Sequence, residues 1–146
     1  MKIRRISKKE RKEALQLVLD TFMEYEAPDY SEKGVETFKS FFADENYMDN
    51  LVIYGTFIDG KIISVIATRN NRNHIALFFV DGKMHRQGIG RRMFEEVLKN
   101  STADKITVHS SPYAVEVYRC LGFIPTDTEQ LTDGIRYTPM TYVKWA

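Results

Sequence analysis

At 146 residues, with 43% hydrophobic and 28% charged side chains, the sequence can bury a core without staples and has the composition of a globular protein, so one domain over residues 1–146 is expected. Its net charge of +1 provides no overall field toward nucleic acid or an anionic membrane, and any anion must be held by a local site. The one cysteine, Cys120, excludes an internal disulfide and a cysteine-based zinc site, and no apolar run is long enough to span a bilayer.

The opening residues Met1-Lys2-Ile3-Arg4-Arg5 are charged and lead straight into amphipathic sequence with no apolar signal core, so a cytoplasmic protein is expected. Lys2 to Ile6 reads as a short strand. Ser7 with Glu10 three residues later has the spacing of a capping box. The helix that follows carries Leu15, Val18, Leu19 and Phe22 as its buried stripe, and Pro28 ends the region. A second helix is expected from near Ser31, with Val35, Phe38, Phe41 and Phe42 inward. From Val52 the period changes. Val52 to Ile58 and Lys61 to Ala67 are β-rich runs joined by Asp59-Gly60, a pair favoured in tight hairpin turns. After the polar turn Asn70 to Asn73, His74 to Val80 is almost continuously apolar, as in a strand covered on both faces. A glycine-containing loop follows, then a helix with Met93, Phe94, Val97 and Leu98 inward, and a strand from Lys105 to His109. Pro112 suits the first turn of another helix, which turns Ala114, Val117, Tyr118 and Leu121 inward and stops at Gly122. An irregular stretch from Thr126 to Asp133 precedes a last strand from Ile135 to Lys144. The order βααβββαβαβ describes one α/β domain.

The most informative segment joins the strand ending at Val80 to the helix after it: Asp81-Gly82-Lys83-Met84-His85-Arg86-Gln87-Gly88-Ile89-Gly90-Arg91-Arg92. Gly88 and Gly90 lack the Cβ atoms that would hold a ligand off the backbone. The first amides of a helix have no internal partner and together carry about half a positive charge, so the N–H groups from Gln87 to Arg91 can wrap a pyrophosphate. Arg86, Arg91 and Arg92 add charge at the rim. A Rossmann site does not fit, for want of a third glycine and an early βαβ unit. A P-loop does not fit, for want of the Gly-Lys-Ser/Thr ending. Taken alone, Gly88-Ile89-Gly90 is equally compatible with a plain helix-capping turn.

A second segment, Val108 to Phe123, reads VHSSPYAVEVYRCLGF. In this order and at this separation the two segments resemble the GCN5-related N-acetyltransferase (GNAT) superfamily. The R/Q-x-x-G-x-G/A motif of that family corresponds to His85 through Gly90, with His85 in place of the usual Arg or Gln. Its A-x-x-x-Y-x-x-x-G-F motif corresponds to Ala114 through Phe123, and Ser111 stands where an asparagine is frequent. The resemblance implies a single-domain α/β fold: a mixed central sheet with a V-shaped splay between the fourth and fifth strands, flanked by about four helices. It implies acetyl-CoA as cosubstrate, bound by Phe78, Phe79, Val80, His85, Arg86, Gln87, Gly88, Ile89, Gly90, Arg91, Ser111 and Ala114. The pantetheine arm would pair with the exposed strand edge from Phe78 to Val80, and an amide near Phe79 would polarise the acetyl carbonyl. Tyr118 would be the catalytic acid.

The chemistry sets further expectations. A phenol of pKa near 10 stays protonated at neutral pH, and a thiol lies near 8.5, so full transfer from Tyr118 is uphill by about 2 kcal/mol. A hydrogen bond that tightens as the thiolate departs is the expected form. Neutralising an alkylammonium at pH 7 costs about 4–5 kcal/mol, so a base or a water chain is expected, with Glu24, Glu26, Asp29, Asp127 and Glu129 as candidates. The resemblance places the region after the first helix and the tail around the acceptor, giving Tyr25, Glu26, Tyr30 and Glu129 as acceptor-binding residues. If the acids of both segments converge, the pocket is acidic and suits a cationic amine. A small-molecule amine leads as acceptor. A protein or peptide amine, or a non-catalytic acyl-CoA-binding regulatory module, are the alternatives; the width between the acceptor-side loops separates a peptide from a small acceptor, and a blocked acceptor pocket would point to the module. His74, His85 and His109 are too scattered for a metal site, no basic-aromatic array suggests nucleic acid, and Cys120 reads as a packing residue. A homodimer is compatible with these features.

Overall fold

The computed structural model describes residues 1–144. Strand β1 (Lys2–Arg5) is followed by three helices, α1 (Arg11–Tyr25), α2 (Glu32–Ser40) and α3 (Glu45–Asp49). A meander of β2 (Val52–Ile58), β3 (Lys61–Arg69) and β4 (His74–Val80) leads into α4 (Ile89–Asn100). Then come β5 (Lys105–Ser110), α5 (Val115–Leu121), β6 (Ile124–Pro125), β7 (Gln130–Thr132) and β8 (Ile135–Val143). The sheet runs β1-β2-β3-β4-β5-β8-β6, with β7 paired on β8. Every pairing is antiparallel except β4 with β5, which makes the sheet mixed.

The sheet separates two cores. On one face Met93, Phe94 and Val97 of α4 and Tyr118 and Leu121 of α5 pack on Ile63, Ile66 and Ile106. On the other, Ala14, Val18 and Phe22 of α1 and Met48 of α3 pack on Ile62, Val65, Ala67 and Phe79. Phe22 is fully buried and stacks on Phe38 of α2 with centroids 3.8 Å apart. Burying a side chain of that size contributes roughly 2–3 kcal/mol. These opposing faces explain why β3 is buried along most of its length and β4 is apolar at nearly every position.

Local signals start the helices where the sequence puts them. The Glu10 carboxylate accepts from the Ser7 amide at 2.9 Å and pairs with Arg4 at 2.7 Å, and the Ser31 hydroxyl accepts from the Gly34 amide at 3.2 Å. Several details differ from the sequence reading. The stripe of α1 is centred on Ala14, Val18, Thr21 and Phe22, with Leu15 and Leu19 at its half-buried margins. Phe41 is exposed, because the chain tightens into a 3-10 turn after Ser40 and rotates it outward. The extra helix α3 is a five-residue segment capped by Asp44, which accepts from the Tyr47 amide at 3.0 Å, and is too short to show a period. Pro112 belongs to a turn before α5, which starts three residues later, and Val117 and Cys120 face outward. The stretch expected to be irregular forms β7 and part of a hairpin with β8.

One irregularity places the site. Thr68 pairs with Ile75 and Ala67 pairs with Leu77, so Ala76 is an extra residue on β4. A bulge of this kind bends its strand and increases its twist. Beyond it β4 leaves β5, which it contacts only through His74 and Ile75 opposite Thr107 and Val108. The V-shaped splay begins at Ala76.

Candidate functional site

Ladder geometry decides which backbone groups the splay exposes. Asp81 donates its amide to the Ile63 carbonyl at 2.9 Å. Opposed pairs in an antiparallel ladder alternate between bonded and non-bonded, so the pairs Val65 with Phe79 and Ala67 with Leu77 are bonded as well. The amide of Phe79 therefore faces β3. The amides that face the open edge are those of Phe78 and Val80, which narrows the expected amide near Phe79 to its two neighbours. His85 Nε2 donates to the Val80 carbonyl at 2.8 Å, so this ring nitrogen carries the proton and the side chain fastens the loop to the end of the edge. That is what the histidine does at the position where an arginine or glutamine was expected.

The loop next to this edge is shaped by two left-handed residues, Arg86 at φ 65° and Gly88 at φ 79°. Gly88 is the N-cap of α4 and offers no side-chain acceptor, so the amides of Ile89, Gly90 and Arg91 have no partner within the helix. A Cβ on Gly88 would meet nothing of the protein within 4 Å, so the loop is open there. Gly90 lies against the Phe78 ring. Arg91 donates to the Cys120 carbonyl at 2.8 Å, bracing the loop on the end of α5.

Two cavities meet at the splay. The first, about 620 Å³, lies between the loop and α5 and is bordered by Phe78, Val80, His85, Arg86, Gly88 and Gly90, with Tyr25 and Tyr113 opposite. The second, about 320 Å³, lies over the far half of β4 and β5, beneath α2 and the β7–β8 hairpin. Glu26, Phe78, Phe79, Ala114 and Tyr118 border both. Tyr118 is 6% exposed and packs edge-on against Phe78 and Phe123. Burial, and after it the negative charge of Glu26, push its pKa far above the ordinary phenol value, so it holds its proton throughout the physiological range. Glu26 follows the last turn of α1. Burial raises its pKa to about 7; the Ser111 hydroxyl works against the rise and Asp29 adds to it. A carboxyl in that range can both take and return a proton near neutrality.

The second cavity is roofed. A Cβ at Gly34 of α2 or at Gly134 of the hairpin turn would collide with the backbone of the other glycine, so the two segments touch directly. Thr37 donates to the Asp133 carbonyl at 2.6 Å, Tyr30 to the Arg136 carbonyl at 3.2 Å, and Arg136 to the Asp29 carbonyl at 3.0 Å.

The structure redistributes several residues chosen from the sequence. Phe78, Phe79, Val80, His85, Arg86, Gly88, Ile89, Gly90, Arg91 and Ala114 border the larger cavity, whereas Gln87 is exposed beside it. Ser111 is buried at the border of the smaller cavity, where its hydroxyl accepts from the Ala114 amide at 3.2 Å and caps the turn into α5. Tyr25 packs against His85, Tyr113 and Gly82 on the loop side, because α1 ends over the loop. Tyr30 and Glu26 do border the smaller cavity. Glu129 does not: its carboxylate pairs with Arg136 at 3.2 Å beside a separate surface depression. Arg92 points away, toward Met1. Glu24, Asp29 and Asp127 are exposed, and of the acids in the two segments Glu26 and Asp133 border the smaller cavity. Sequence reasoning passed over Arg69, Tyr47 and Tyr137, which also border the smaller cavity. Each sits at an element's end or in a stretch with no motif, and only the pairing of strands brings them together. No metal-binding group of three or more ligands occurs among the described residues, and none of the described helices is long and apolar enough to cross a membrane.

The sequence profile of the acetyltransferase (GNAT) domain matches residues 26–144. Among curated proteins no sequence match is found. Similar solved structures include a GCN5-related N-acetyltransferase from Rhodopseudomonas palustris, with 18% identity, TM-score 0.83 and coverage of 97% of this chain and 94% of that one. The PaiA N-acetyltransferase of Thermoplasma acidophilum, in complex with coenzyme A, is 17% identical with TM-score 0.74, covering 97% and 98%. A GNAT family acetyltransferase from Elizabethkingia anophelis with acetyl-CoA bound is 18% identical with TM-score 0.64, covering 97% of each chain.

Proposed function

The chain belongs to the GNAT acetyltransferase family, and from that premise we propose that it transfers acetyl from acetyl-CoA to the amine of a small molecule by direct attack. The observation that carries this reading is the meeting of the two cavities at the open edge of β4, where Tyr118 and Glu26 border both. The unpartnered amides of Ile89, Gly90 and Arg91 suit the pyrophosphate, and the edge amides of Phe78 and Val80 suit the pantetheine and the acetyl carbonyl. Glu26 takes the proton of the attacking amine as the new C–N bond forms. Tyr118 donates a hydrogen bond to the sulfur as the C–S bond breaks, stabilising the thiolate.

A small acceptor is favoured over a peptide because contacts between α2 and the β7–β8 hairpin roof the acceptor side. Thiol release from acetyl-CoA, measured over a panel of small primary amines and unstructured peptides, tests this directly. Turnover is expected with small amines only. Turnover restricted to peptides would refute it.

The nucleotide end gives a separate prediction. Gly88→Val puts a branched side chain into the open space at the N-cap of α4, which borders the larger cavity, and strains a left-handed position. The dissociation constant for acetyl-CoA is expected to rise about 10- to 100-fold, the effect of losing one charged hydrogen bond. Calorimetry on a variant whose circular dichroism matches the parent measures it, and unchanged affinity would count against the site.

A further inference from the structure

A polar row crosses the floor of the smaller cavity on four neighbouring strands. Arg69, at the end of β3, lies opposite His74 at the start of β4. His74 in turn lies opposite Thr107 of β5, and its Nδ1 is 2.7 Å from the Thr107 hydroxyl. His109, two residues further along β5, meets the His74 ring edge-on at 5.0 Å and stacks on Tyr137 of β8 at 4.5 Å. Tyr47 of α3 approaches from the opposite side, its ring centroid 5.9 Å from the Arg69 guanidinium carbon. Arg69, His74, His109, Tyr137 and Tyr47 all border the cavity that holds Glu26 and Tyr118.

The charges in this row are unbalanced. Burial, reinforced by the charge of Arg69 and by His109, lowers the pKa of His74 to about 4, and burial followed by Arg69 lowers that of His109. Among the described residues Arg69 has no carboxylate within ion-pair distance, and its Nε is buried with no hydrogen-bond partner. Two acids border the cavity. Glu26 stands at the reactive end, and Asp133 belongs to the exposed hairpin turn that forms the roof. Buried polar groups in proteins are nearly always satisfied, and a guanidinium has a planar fork of donors that fits a carboxylate in two-point fashion. Arg69 is half-buried, at the edge of the roofed cavity on one side and of a surface depression with Asn50, Asn70 and Arg72 on the other. An arginine so placed, without a carboxylate partner and across the cavity from Glu26 and Tyr118, offers a binding group for an anion.

We propose that the acceptor is an amino carboxylate whose carboxylate binds Arg69 while its amine reaches Glu26 and Tyr118. This deepens the acetyl-transfer reading and rests on it. From His74 to Phe78 a strand rises about 13 Å, so the two ends of the ligand are separated by several bonds, as in an ω-amino carboxylate.

The experiment compares kcat/KM for the series from 3-aminopropionate to 6-aminohexanoate with the carboxamides of the same chain lengths, in the parent and in Arg69→Met. Thermal melts confirm that the variant is folded. The parent is expected to favour the carboxylate about 10- to 100-fold at its best chain length, the factor of one charged hydrogen bond. Arg69→Met is expected to lose that preference while its acetyl-CoA affinity, measured by calorimetry, stays unchanged. Carboxamides turned over as fast as carboxylates by the parent, or a preference that survives in Arg69→Met, would overturn the assignment and leave acetyl transfer standing. Acetyl-CoA binding without turnover of any amine, whatever its charge, would instead overturn the transfer reading together with this one.

Discussion

Replacing Tyr118 by Phe is expected to lower kcat by about 10²–10⁴-fold while the dissociation constant of acetyl-CoA changes by no more than a few-fold. The ring is part of the core, packed on Phe78 and Phe123, and phenylalanine keeps those contacts. Only the hydroxyl is lost. Burial raises the pKa of that hydroxyl far above the ordinary phenol value, so in the parent it offers a donor throughout the physiological range. The interaction is worth most when negative charge has built up on sulfur, and so its loss falls on kcat. Rapid-mixing or steady-state assays with a turned-over amine measure the change. Full turnover in the variant would return Tyr118 to a packing role.

Glu26→Gln is the second large effect, with kcat again falling by roughly 10²–10⁴-fold for loss of a general base. Two pH-dependent readouts separate this role from simple packing. With Glu26 present, kcat should rise with pH through about 7, as the carboxyl loses its proton and becomes a base. The glutamine variant should lack this limb and show only the titration of the amine. Stability moves the other way. The folded state raises the carboxyl from its ordinary 4.5 to about 7, so the neutral form is the one the fold favours. The associated stability is full below pH 4.5 and is lost as pH rises through 7. It amounts to at most about 3 kcal/mol. Glu26→Gln should therefore melt close to the parent at pH 5 and above it at pH 8. A parent without a kcat limb near 7, or equal melting at pH 8, would remove Glu26 from the mechanism.

The loop site and the acceptor site were legible to very different degrees. The strand–loop–helix junction from Val80 to Arg91 is contiguous in the chain, and the function proposed for it depends on backbone amides and on glycines that would admit a ligand. Residue type and spacing report both. The motif from Ala114 to Phe123 is contiguous too, and places Tyr118 correctly on the inner face of α5. The acceptor side is assembled from α1, α2, α3, the splayed strands and the terminal hairpin, and no local pattern records which side chains share a cavity. Glu26, Asp29 and Glu129 look alike as acids in polar stretches. The fold half-buries the first, leaves the second exposed and pairs the third with Arg136.

The sequence by itself determined the α/β class, the strand–glycine loop–helix unit and the identity of the buried tyrosine, because periodicity, capping and turn chemistry act over a few neighbouring residues. The tertiary structure alone decided which amides of β4 are free, at which residue the expected splay begins, and what lies across the smaller cavity. The first two follow from the pairing register and the extra residue Ala76, which depend on β3 as much as on β4. The last follows from strand order: Arg69, His74, His109 and Tyr137 are spread along the chain and become neighbours only because β3, β4, β5 and β8 lie side by side.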